Sequence, residues 1–267
     1  MTVVAIASAE SARQVVRIQT ALAWVSPDVT LGAPESNVET SSGNTSSMTV
    51  PVMTDRHDPR LRLCVITDDL RDGRDGLVAR TLAAEAGGAT LVILRLKHAD
   101  AATLVEVGRL LVQSLHIPVL VHERLDVALA CDAAGVHLTS DSLPAVAVRT
   151  LAHPGLLIGV AIGGDDDALH ARAADFVTIG PVFDSAGAML INAEALRRLR
   201  LQVGVPSVLI GGLTPATAAT LVRAGADGVA VIRAVLGAPD VSQAAAEFVA
   251  AMHDGHDGND EAPDHVM

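Results

Sequence analysis

The chain has 267 residues, which is enough for one large domain of roughly 200–250 residues and additional segments. Its formal net charge of −12 argues against nucleic acid or an anionic membrane surface as a partner. With one Trp, three Phe and no Tyr, it has few side chains on which nucleobases stack. No stretch approaches the ~20 apolar residues needed to cross a membrane, and the first residues lack the pattern of a secretion signal. We therefore expect a soluble, cytoplasmic protein.

The two cysteines, Cys64 and Cys131, lie in or beside apolar segments. Isolated cysteines in such positions are typical of buried, reduced thiols in a cytosolic protein. No CxxC motif and no Cys/His spacing predicts a zinc site.

Both ends of the chain differ from its middle. Residues 1–36 contain a short apolar run and a predicted helix from about Ala9 to Trp24. This extension is either a remnant of a partner domain, a helix packed on the main domain or an upstream start-site artefact. Residues 37–60 are rich in Ser, Thr, Asn and Gly and are predicted to be a linker. Residues 253–267 are polar and acidic and are predicted to be a disordered tail.

Residues 61–252 alternate between short apolar runs and Ala/Leu-rich segments with helical spacing. The apolar runs are Leu61–Thr67, Thr90–Leu94, Val119–His122, Gly135–Leu138, Leu157–Ala161, Phe176–Ile179, Ser207–Ile210 and Gly228–Ile232. The helical segments cover about 76–86, 101–115, 126–132, 143–151, 166–173, 193–203, 215–224 and 241–252. Eight strands, each followed by a helix, predict an α/β fold, the closed TIM (β/α)8 barrel. A doubly wound open sheet shows the same alternation, but the count of eight favours the barrel.

The stretch from Val208 to Arg233 has the pattern of a strand, a glycine turn, a capped helix and a second strand. Gly211 and Gly212 follow the seventh predicted strand, where the loops of such a barrel usually hold a phosphate group. Paired glycines let backbone N–H groups approach an anion, and they also make tight turns. The local pattern supports both interpretations equally. The position of the glycines on the same barrel face as Arg95 and Lys97 favours the phosphate site.

Functional residues of a (β/α)8 barrel lie at the C-terminal ends of the strands and in the loops that follow them. Arg95 and Lys97 follow the second predicted strand. Two cations there would suit a diphosphate, because Arg offers a fork of donors and Lys a point charge. The alternative is that both residues form surface salt bridges.

His122 and Glu123 end the third predicted strand. Glu123 is a candidate ligand for Mg²⁺, which takes one or two carboxylates together with substrate oxygens. An ion pair with Arg124 or Lys97 is the alternative for this carboxylate. His122 is a candidate acid, base or phosphate donor, although a lone histidine at a strand end is more often structural. His137 lies within an apolar strand and is predicted to be a core residue.

The chain from about Leu61 to Met252 resembles the thiamine phosphate synthase/TenI family of TIM barrels. The matching stretches, in collinear order, are CVITDD, TLVILRLKHAD, VHERLDVALACDAAGVHLTSDSLP, GLLIGVA, ADFVTIGPVF, PSVLIGGLTP and AGADGVAVIRAVLGAPD. The family's synthase joins a hydroxymethylpyrimidine diphosphate to a hydroxyethylthiazole phosphate and releases pyrophosphate. Mg²⁺ and cationic side chains stabilise its charged intermediate.

The resemblance assigns roles to individual residues. It implies that Arg95 and Lys97 bind the diphosphate and that Gly211 and Gly212 cradle the thiazole phosphate. The turn of Ile232 and Arg233 would form the second half of that phosphate site.

The chain also departs from the family pattern. The departures at metal-binding or substrate-binding positions are Ile93 for Gln, His122-Glu123 for Asn-Asp, Ser142 for Asp (with Asp141 adjacent), Ala161 for Ser, Ser185–Ala188 for Thr-x-Thr-Lys, and Arg233 for Ser. The fifth of these removes a diphosphate-binding lysine, and the last adds a positive charge. Related thiazole tautomerases have a catalytic His where this chain has Gly163, so the resemblance does not imply that activity.

Three functions are therefore open. The first is a synthase-like transferase with altered or lost activity. The second is a non-catalytic or regulatory barrel that binds a thiamine-pathway phosphate. The third is a different reaction on a related phosphorylated heterocycle, with His122 as acid or base. We expect small phosphorylated heterocycles as ligands and Mg²⁺ as the candidate cofactor, and the sequence leaves a homo-oligomer open.

Overall fold

The structure is a computed structural model that describes residues 58–163, 171 and 173–257. The predictions for residues 1–36, for most of the linker and for the end of the tail fall outside the described residues. The same holds for most of the helix predicted at 166–173.

Eight short strands and eight helices make up the described part of the chain. The strands are β1 (Leu63–Ile66), β2 (Leu91–Leu94), β3 (Val119–His122), β4 (Gly135–Leu138), β5 (Leu157–Ile162), β6 (Phe176–Ile179), β7 (Ser207–Ile210) and β8 (Gly228–Val231). The helices are α1 (Gly73–Ala86), α2 (Ala101–Ser114), α3 (Leu125–Ala130), α4 (Ala145–Leu151), α5 (Ala193–Val203), α6 (Pro215–Arg223), α7 (Arg233–Leu236) and α8 (Val241–Asp257).

The strands form one closed parallel barrel in the order β1 to β8. The closing pair is β8 with β1, in which Val231 lies opposite Val65. The predicted (β/α)8 barrel is therefore confirmed, and the alternative of an open doubly wound sheet is wrong. In a closed barrel all eight C-terminal strand ends share one face, which places every candidate site residue at the same mouth.

Side chains from alternate strand positions fill the inside of the barrel. The buried apolar side chains of this interior cluster are Leu61, Cys64, Ile66, Leu91, Ile93, Leu120, Phe176, Val208 and Ala230. Phe176 needs a glycine opposite it, because a Cβ on Gly159 would collide with the phenyl ring. The opposite faces of the strands pack under the amphipathic helices and form the larger apolar clusters.

Two aspartates join neighbouring strands at the N-terminal face of the barrel. Asp175, just before β6, donates its amide N–H to the carbonyl oxygen of Ile158 and accepts the amide N–H of Ile158 on its carboxylate (2.8 and 2.7 Å). Asp227, just before β8, makes the same pair of bonds with Ser207 (2.9 and 2.8 Å). An arginine from a preceding helix completes each arrangement: Arg149 of α4 bonds to Asp175, and Arg200 of α5 to Asp227.

The glycine-containing unit around α6 forms as its sequence predicts. Pro215 is the first helical residue, and Thr214 caps the helix in a reciprocal capping box with Thr217. The chain leaves the helix through Gly225, whose φ of 102° suits a residue without a Cβ.

Several predicted boundaries need correction. Strand β1 is Leu63–Ile66 and is shorter at both ends than the predicted run Leu61–Thr67. Residues 58–60, which the sequence assigned to the linker, are ordered: Pro59–Leu61 form a 3-10 turn, and the Asp58 side chain caps it. The last helix runs to Asp257, five residues beyond the predicted end at 252 and into the segment predicted to be a tail. Strand β8 ends at Val231, and Arg233 begins the short helix α7 instead of ending the strand.

Both cysteines are buried free thiols, as predicted. Burial raises the pKa of Cys64 and of Cys131. No helix in the described part of the chain is long and apolar enough to cross a membrane.

Candidate functional site

A short cleft at the C-terminal mouth brings together four of the residues singled out from the sequence. Arg95, Lys97, His122 and Glu123 all line this cleft, which has a volume of about 470 Å³. Buried Leu96 separates the two cations, so both of their side chains reach the same opening. The loops after β2 and β3 thus form one site, as the barrel topology requires.

The two cations of the cleft are available for a ligand. In residues 58–163, 171 and 173–257, no carboxylate lies within salt-bridge distance of Arg95 or Lys97, so the salt-bridge alternative has no support among these residues. Lys97 is also the only lysine in a chain that carries 18 arginines. An exposed ammonium group beside a partly buried guanidinium is well suited to an anionic ligand.

Glu123 adopts an unusual backbone conformation at the end of β3. Its φ is 63°, and its amide N–H donates to the carbonyl oxygen of His137 (2.8 Å). A non-glycine residue held at positive φ is a recurrent feature of functional sites. The Glu123 carboxylate accepts the Thr139 hydroxyl (2.6 Å), whereas Arg124 pairs with Asp126. The predicted ion pair of Glu123 with Arg124 or Lys97 is therefore wrong.

The residues at the predicted metal position offer a single carboxylate. The Glu123 side chain is 44% exposed, and the Ser142 hydroxyl accepts the Thr139 amide N–H (2.9 Å). Across the described ranges, no group of three or more His, Cys, Asp or Glu side chains is arranged to hold a metal ion. This donor set does not form a metal site made of protein ligands alone.

His122 and His137 are in direct contact inside the barrel. Their Nδ1 atoms are 3.3 Å apart and their rings stack at an angle of 19°. The second ring nitrogen of His137 lies 2.9 Å from the hydroxyl oxygen of Thr178 on β6, and that of His122 lies 3.7 Å from the Glu123 carboxylate. His137 is 3% exposed, so it is a core residue as predicted, but one with a polar role that the sequence did not reveal.

Burial changes the proton affinity of both imidazoles. Burial, together with the smaller effects of neighbouring His122 and Arg95, lowers the pKa of His137 to about 3. Burial is also the main cause of a lowered pKa for His122; Glu123 opposes this effect, while Arg95 and Lys97 add to it. At neutral pH both rings are therefore uncharged.

The glycine turn after β7 is shaped by a close approach to the loop after β6. Gly211 has a φ of 111°, and a Cβ there would lie 2.7 Å from Cα of Pro181. Gly212 has a φ of 66°, and its Cβ would lie 3.0 Å from Cβ of Phe183. Packing against the Pro181 backbone thus requires glycine at position 211, and the positive φ and the close Phe183 side chain favour glycine at position 212, which is the tight-turn interpretation.

The same turn also leaves backbone donors open. The amide N–H groups of Gly211 and Gly212, and those of Ile232 and Arg233 beside them in the barrel, donate to no acceptor in the described part of the chain. Arg233 is exposed and its guanidinium pairs with no carboxylate there. Open amides from two adjacent loops are what a phosphate-binding site requires, so the phosphate interpretation stays a prediction alongside the packing requirement.

The loop that replaces the family's Thr-x-Thr-Lys run forms a compact turn. The Asp184 carboxylate accepts the amide N–H groups of Ala186 and Ala188 (2.9 and 2.8 Å), and the turn is closed by a bridge between Phe183 and Met189. No cationic side chain lies within this turn.

Sequence reasoning missed three threonines of the site. Thr67 fixes the backbone of Arg95, Thr139 binds Glu123 and Thr178 binds His137. Alternation gives a usable signal for Thr178, because it is two residues after Phe176 and therefore points into the barrel. Thr67 and Thr139 directly follow strands 1 and 4, and this position indicates that they lie at the functional face of the barrel.

A larger cavity of about 610 Å³ lies at the opposite face, near the starts of β3 and β5. Its cation Arg60 is already paired with Asp58. Since it contains none of the candidate side chains, volume alone does not make it the site.

The fold and the side chains at its C-terminal mouth define the class of this protein: a TIM (β/α)8 barrel with cationic residues at the strand ends. Residues 63–235 match the family described as thiamine monophosphate synthase. The chain belongs to this family, as its resemblance predicted.

Individual relatives agree with the family match. The chain is 42% identical over 191 residues to the thiamine-phosphate synthase of Moorella thermoacetica, covering 68% of this chain and 90% of the relative. It is 41% identical over 197 residues to that of Chloroflexus aurantiacus, covering 70% and 90%. Among solved structures, thiamine phosphate pyrophosphorylase from Pyrococcus furiosus superposes with a TM-score of 0.65 at 34% identity, covering 75% of this chain and 98% of that one.

Proposed function

We propose that this barrel is a thiamine-phosphate synthase that joins hydroxymethylpyrimidine diphosphate to hydroxyethylthiazole phosphate and releases pyrophosphate. The observation that carries the proposal is the pair of cations, Arg95 and Lys97, which line one cleft with His122 and Glu123 and pair with no carboxylate of the described residues. The relatives named above carry this activity in their names. Its ligands are then small phosphorylated heterocycles.

The cations would act on the diphosphate. As the bond between the pyrimidine methylene carbon and the diphosphate oxygen breaks, negative charge grows on the leaving group. Arg95 and Lys97 would stabilise this charge in a cleft that is partly shielded from water. The open amides of Gly211, Gly212, Ile232 and Arg233 would hold the thiazole phosphate, so that its ring nitrogen attacks the methylene carbon.

Mg²⁺ would supply further neutralisation of the diphosphate charge when it is bound. Glu123 is the carboxylate placed to hold it, and the remaining ligands would be diphosphate oxygens and water. Glu123→Gln is therefore expected to weaken the Mg²⁺ dependence of pyrophosphate binding in calorimetric titrations.

A non-catalytic phosphate-binding barrel is the second candidate. The turn at Asp184–Ala188 offers no cation, and the Ser142 hydroxyl is engaged by the Thr139 amide. A steady-state assay with both substrates and Mg²⁺ separates the two functions. Turnover that Lys97→Ala abolishes would establish the synthase, whereas tight binding of pyrophosphate without turnover would establish the binder.

Because the sequence contains a single lysine, chemical labelling of amines can test ligand binding at Lys97 specifically. An amine-reactive ester can label only Lys97 and the N-terminal amine, since every other basic side chain is arginine or histidine. Bound pyrophosphate is expected to protect Lys97 from labelling, as measured by peptide mass spectrometry, while the N-terminal amine serves as the internal control. Equal labelling with and without saturating pyrophosphate would contradict the assignment of Lys97.

A further inference from the structure

Thr178, His137 and His122 form a continuous line of polar contacts across the inside of the barrel. They come from β6, β4 and β3, and their contacts are 2.9 Å and 3.3 Å long. Thr178 is 1% exposed and His137 is 3% exposed, so neither has access to bulk water. In such surroundings each polar atom needs a protein partner, which restricts where the protons lie.

The contact between the two histidines needs one donor and one acceptor. At about pH 8, well above the ordinary histidine pKa of about 6.5, both rings are neutral, so each carries one N–H and one bare nitrogen. Two arrangements satisfy the line of contacts. In the first, the Thr178 hydroxyl donates to His137 Nε2, His137 Nδ1–H donates to His122 Nδ1, and His122 keeps its proton on Nε2. In the second, every bond is reversed, and His122 Nε2 is a bare lone pair.

Two groups distinguish the two arrangements. Among the described residues the buried Thr178 hydroxyl contacts only His137 Nε2, so its proton has an acceptor in the first arrangement and none in the second. The Glu123 carboxylate acts in the same direction. It lies 3.7 Å from His122 Nε2. In the second arrangement a lone pair would face this negative charge, whereas in the first an N–H would face it. Glu123 also accepts the Thr139 hydroxyl at 2.6 Å, which fixes the carboxylate as an acceptor.

We propose that Thr178, His137 and His122 form a one-directional hydrogen-bond relay that fixes His122 in the Nε2–H tautomer, so that it presents an N–H donor to the cleft. Thr178 and His137 are then positioning residues, because they act through His122. His122 adds a third donor beside Arg95 and Lys97, whereas a bare nitrogen would repel phosphoryl oxygens. In its resting state His122 is thus a donor and not a base.

The tautomers themselves are the first test. Long-range ¹H–¹⁵N correlation spectra at about pH 8, well above the ordinary histidine pKa of about 6.5, distinguish a protonated ring nitrogen from a bare one. Spectra of His122→Asn and His137→Asn assign the two rings by the signals that disappear. We expect a proton on Nε2 of His122 and on Nδ1 of His137. A proton on Nδ1 of His122 would overturn the relay.

Thr178→Val tests the origin of this order, since it removes the hydroxyl at nearly constant volume. Both rings are expected to lose their single tautomer, and Thr178→Ser is expected to retain it. Thr81→Val, which alters a buried threonine on α1, is the matched control. Unchanged His122 and His137 signals in Thr178→Val would contradict the relay. If that variant does not fold, the wild-type and Thr178→Ser spectra decide the question.

A second experiment measures ligand binding. It rests on the proposed function, and its result is interpreted separately from the tautomer spectra. Pyrophosphate binding, measured by calorimetry, is expected to weaken several-fold in Thr178→Val and to recover in Thr178→Ser. Failure of the wild-type protein to bind pyrophosphate would contradict the proposed function, and the tautomer spectra would still decide the relay. Normal binding by a Thr178→Val protein whose tautomers have changed would refute the role of the relay in ligand binding.

Discussion

The side chain of Thr67 binds both backbone polar groups of Arg95. Its hydroxyl donates to the Arg95 carbonyl oxygen (3.0 Å) and accepts the Arg95 amide N–H (2.8 Å). Thr67 is fully buried, so water cannot substitute for the hydroxyl. Thr67, the residue that follows β1, thereby fixes the point from which the Arg95 side chain enters the cleft.

Thr67→Val should consequently affect both stability and ligand binding. The change keeps the side-chain volume but leaves two buried backbone groups without partners, which should cost about 1–3 kcal/mol in the free energy of unfolding. Urea denaturation measures this loss, and calorimetry should show weaker pyrophosphate binding. Thr67→Ser should restore both properties.

Thr81→Val is the matched control for this change. The Thr81 hydroxyl donates only to carbonyl groups of its own helix, at Leu77 and Val78. It should lower stability less and leave pyrophosphate binding unaltered. Equal losses of stability and binding in both variants would show that the Thr67–Arg95 contact has no special role.

The glycine turn can be tested with two glycine-to-alanine changes. Gly211→Ala introduces a Cβ at positive φ and 2.7 Å from the Pro181 backbone, so we expect a loss of about 2–4 kcal/mol. Gly187→Ala has a similar φ of 85° but open space around the new Cβ, and should cost about 1–2 kcal/mol. The difference between the urea midpoints of the two variants measures the cost of the contact between the new Cβ and the Pro181 backbone. Identical midpoints would show that this contact has no cost.

Arg233 is the chain's own addition to the predicted phosphate site. Because it is exposed and pairs with no carboxylate in the described ranges, Arg233→Ala should leave the unfolding midpoint unaltered. Affinity for hydroxyethylthiazole phosphate should fall about three- to tenfold, the effect of one exposed charged hydrogen bond. Arg223→Ala, at the far end of α6, is the control. Unchanged affinity in Arg233→Ala would exclude a direct contact with the phosphate.

His137 should make the protein sensitive to acid. Its pKa is lowered to about 3 in the folded state and is about 6.5 in the unfolded chain, so the unfolded state binds this proton first. The contribution of His137 to stability is complete above pH 6.5 and is lost as the pH falls from about 6.5 to about 3. Below that range both states are protonated and this contribution falls no further.

Urea denaturation at several pH values should therefore show a smaller loss of stability between pH 6.5 and 4 in His137→Gln than in the wild-type protein. The same change at exposed His153 is the control. If His153→Gln reduces the acid sensitivity as much as His137→Gln does, burial of His137 is not its cause.

The fold was predictable because its signals are local and repeated. Each strand is a short apolar run, and glycine turns and caps such as Thr214-Pro215 mark the helix ends. The sequence did not predict the short helix α7 after β8. Gly228–Ile232 continues as an apolar run, yet the chain turns into α7 at Arg233, a tertiary effect that hydrophobic periodicity does not report.

The side chains that line the cleft together were predictable from the sequence, but the hydrogen bonds between them were not. Arg95, Lys97, His122 and Glu123 were found because functional residues of a (β/α)8 barrel lie at the C-terminal ends of the strands. Their partners were not found, because a hydrogen bond between β4 and β6 depends on the curvature of the closed barrel. Sequence spacing says nothing about which inward-facing side chains meet across it, and so Thr178 was overlooked.

The paired hydrogen bonds of Asp175 and Asp227 join neighbouring strands at the face of the barrel that is opposite the candidate ligand site. Both aspartates join strands at the N-terminal face, whereas the cleft and the glycine turn open at the other end. Changes at residues of the C-terminal mouth such as Ser142 and Arg233 are therefore expected to leave these bonds intact and the contacts of the N-terminal face unchanged. The ligand affinities of a series of such mouth variants can then be compared without large differences in folding stability.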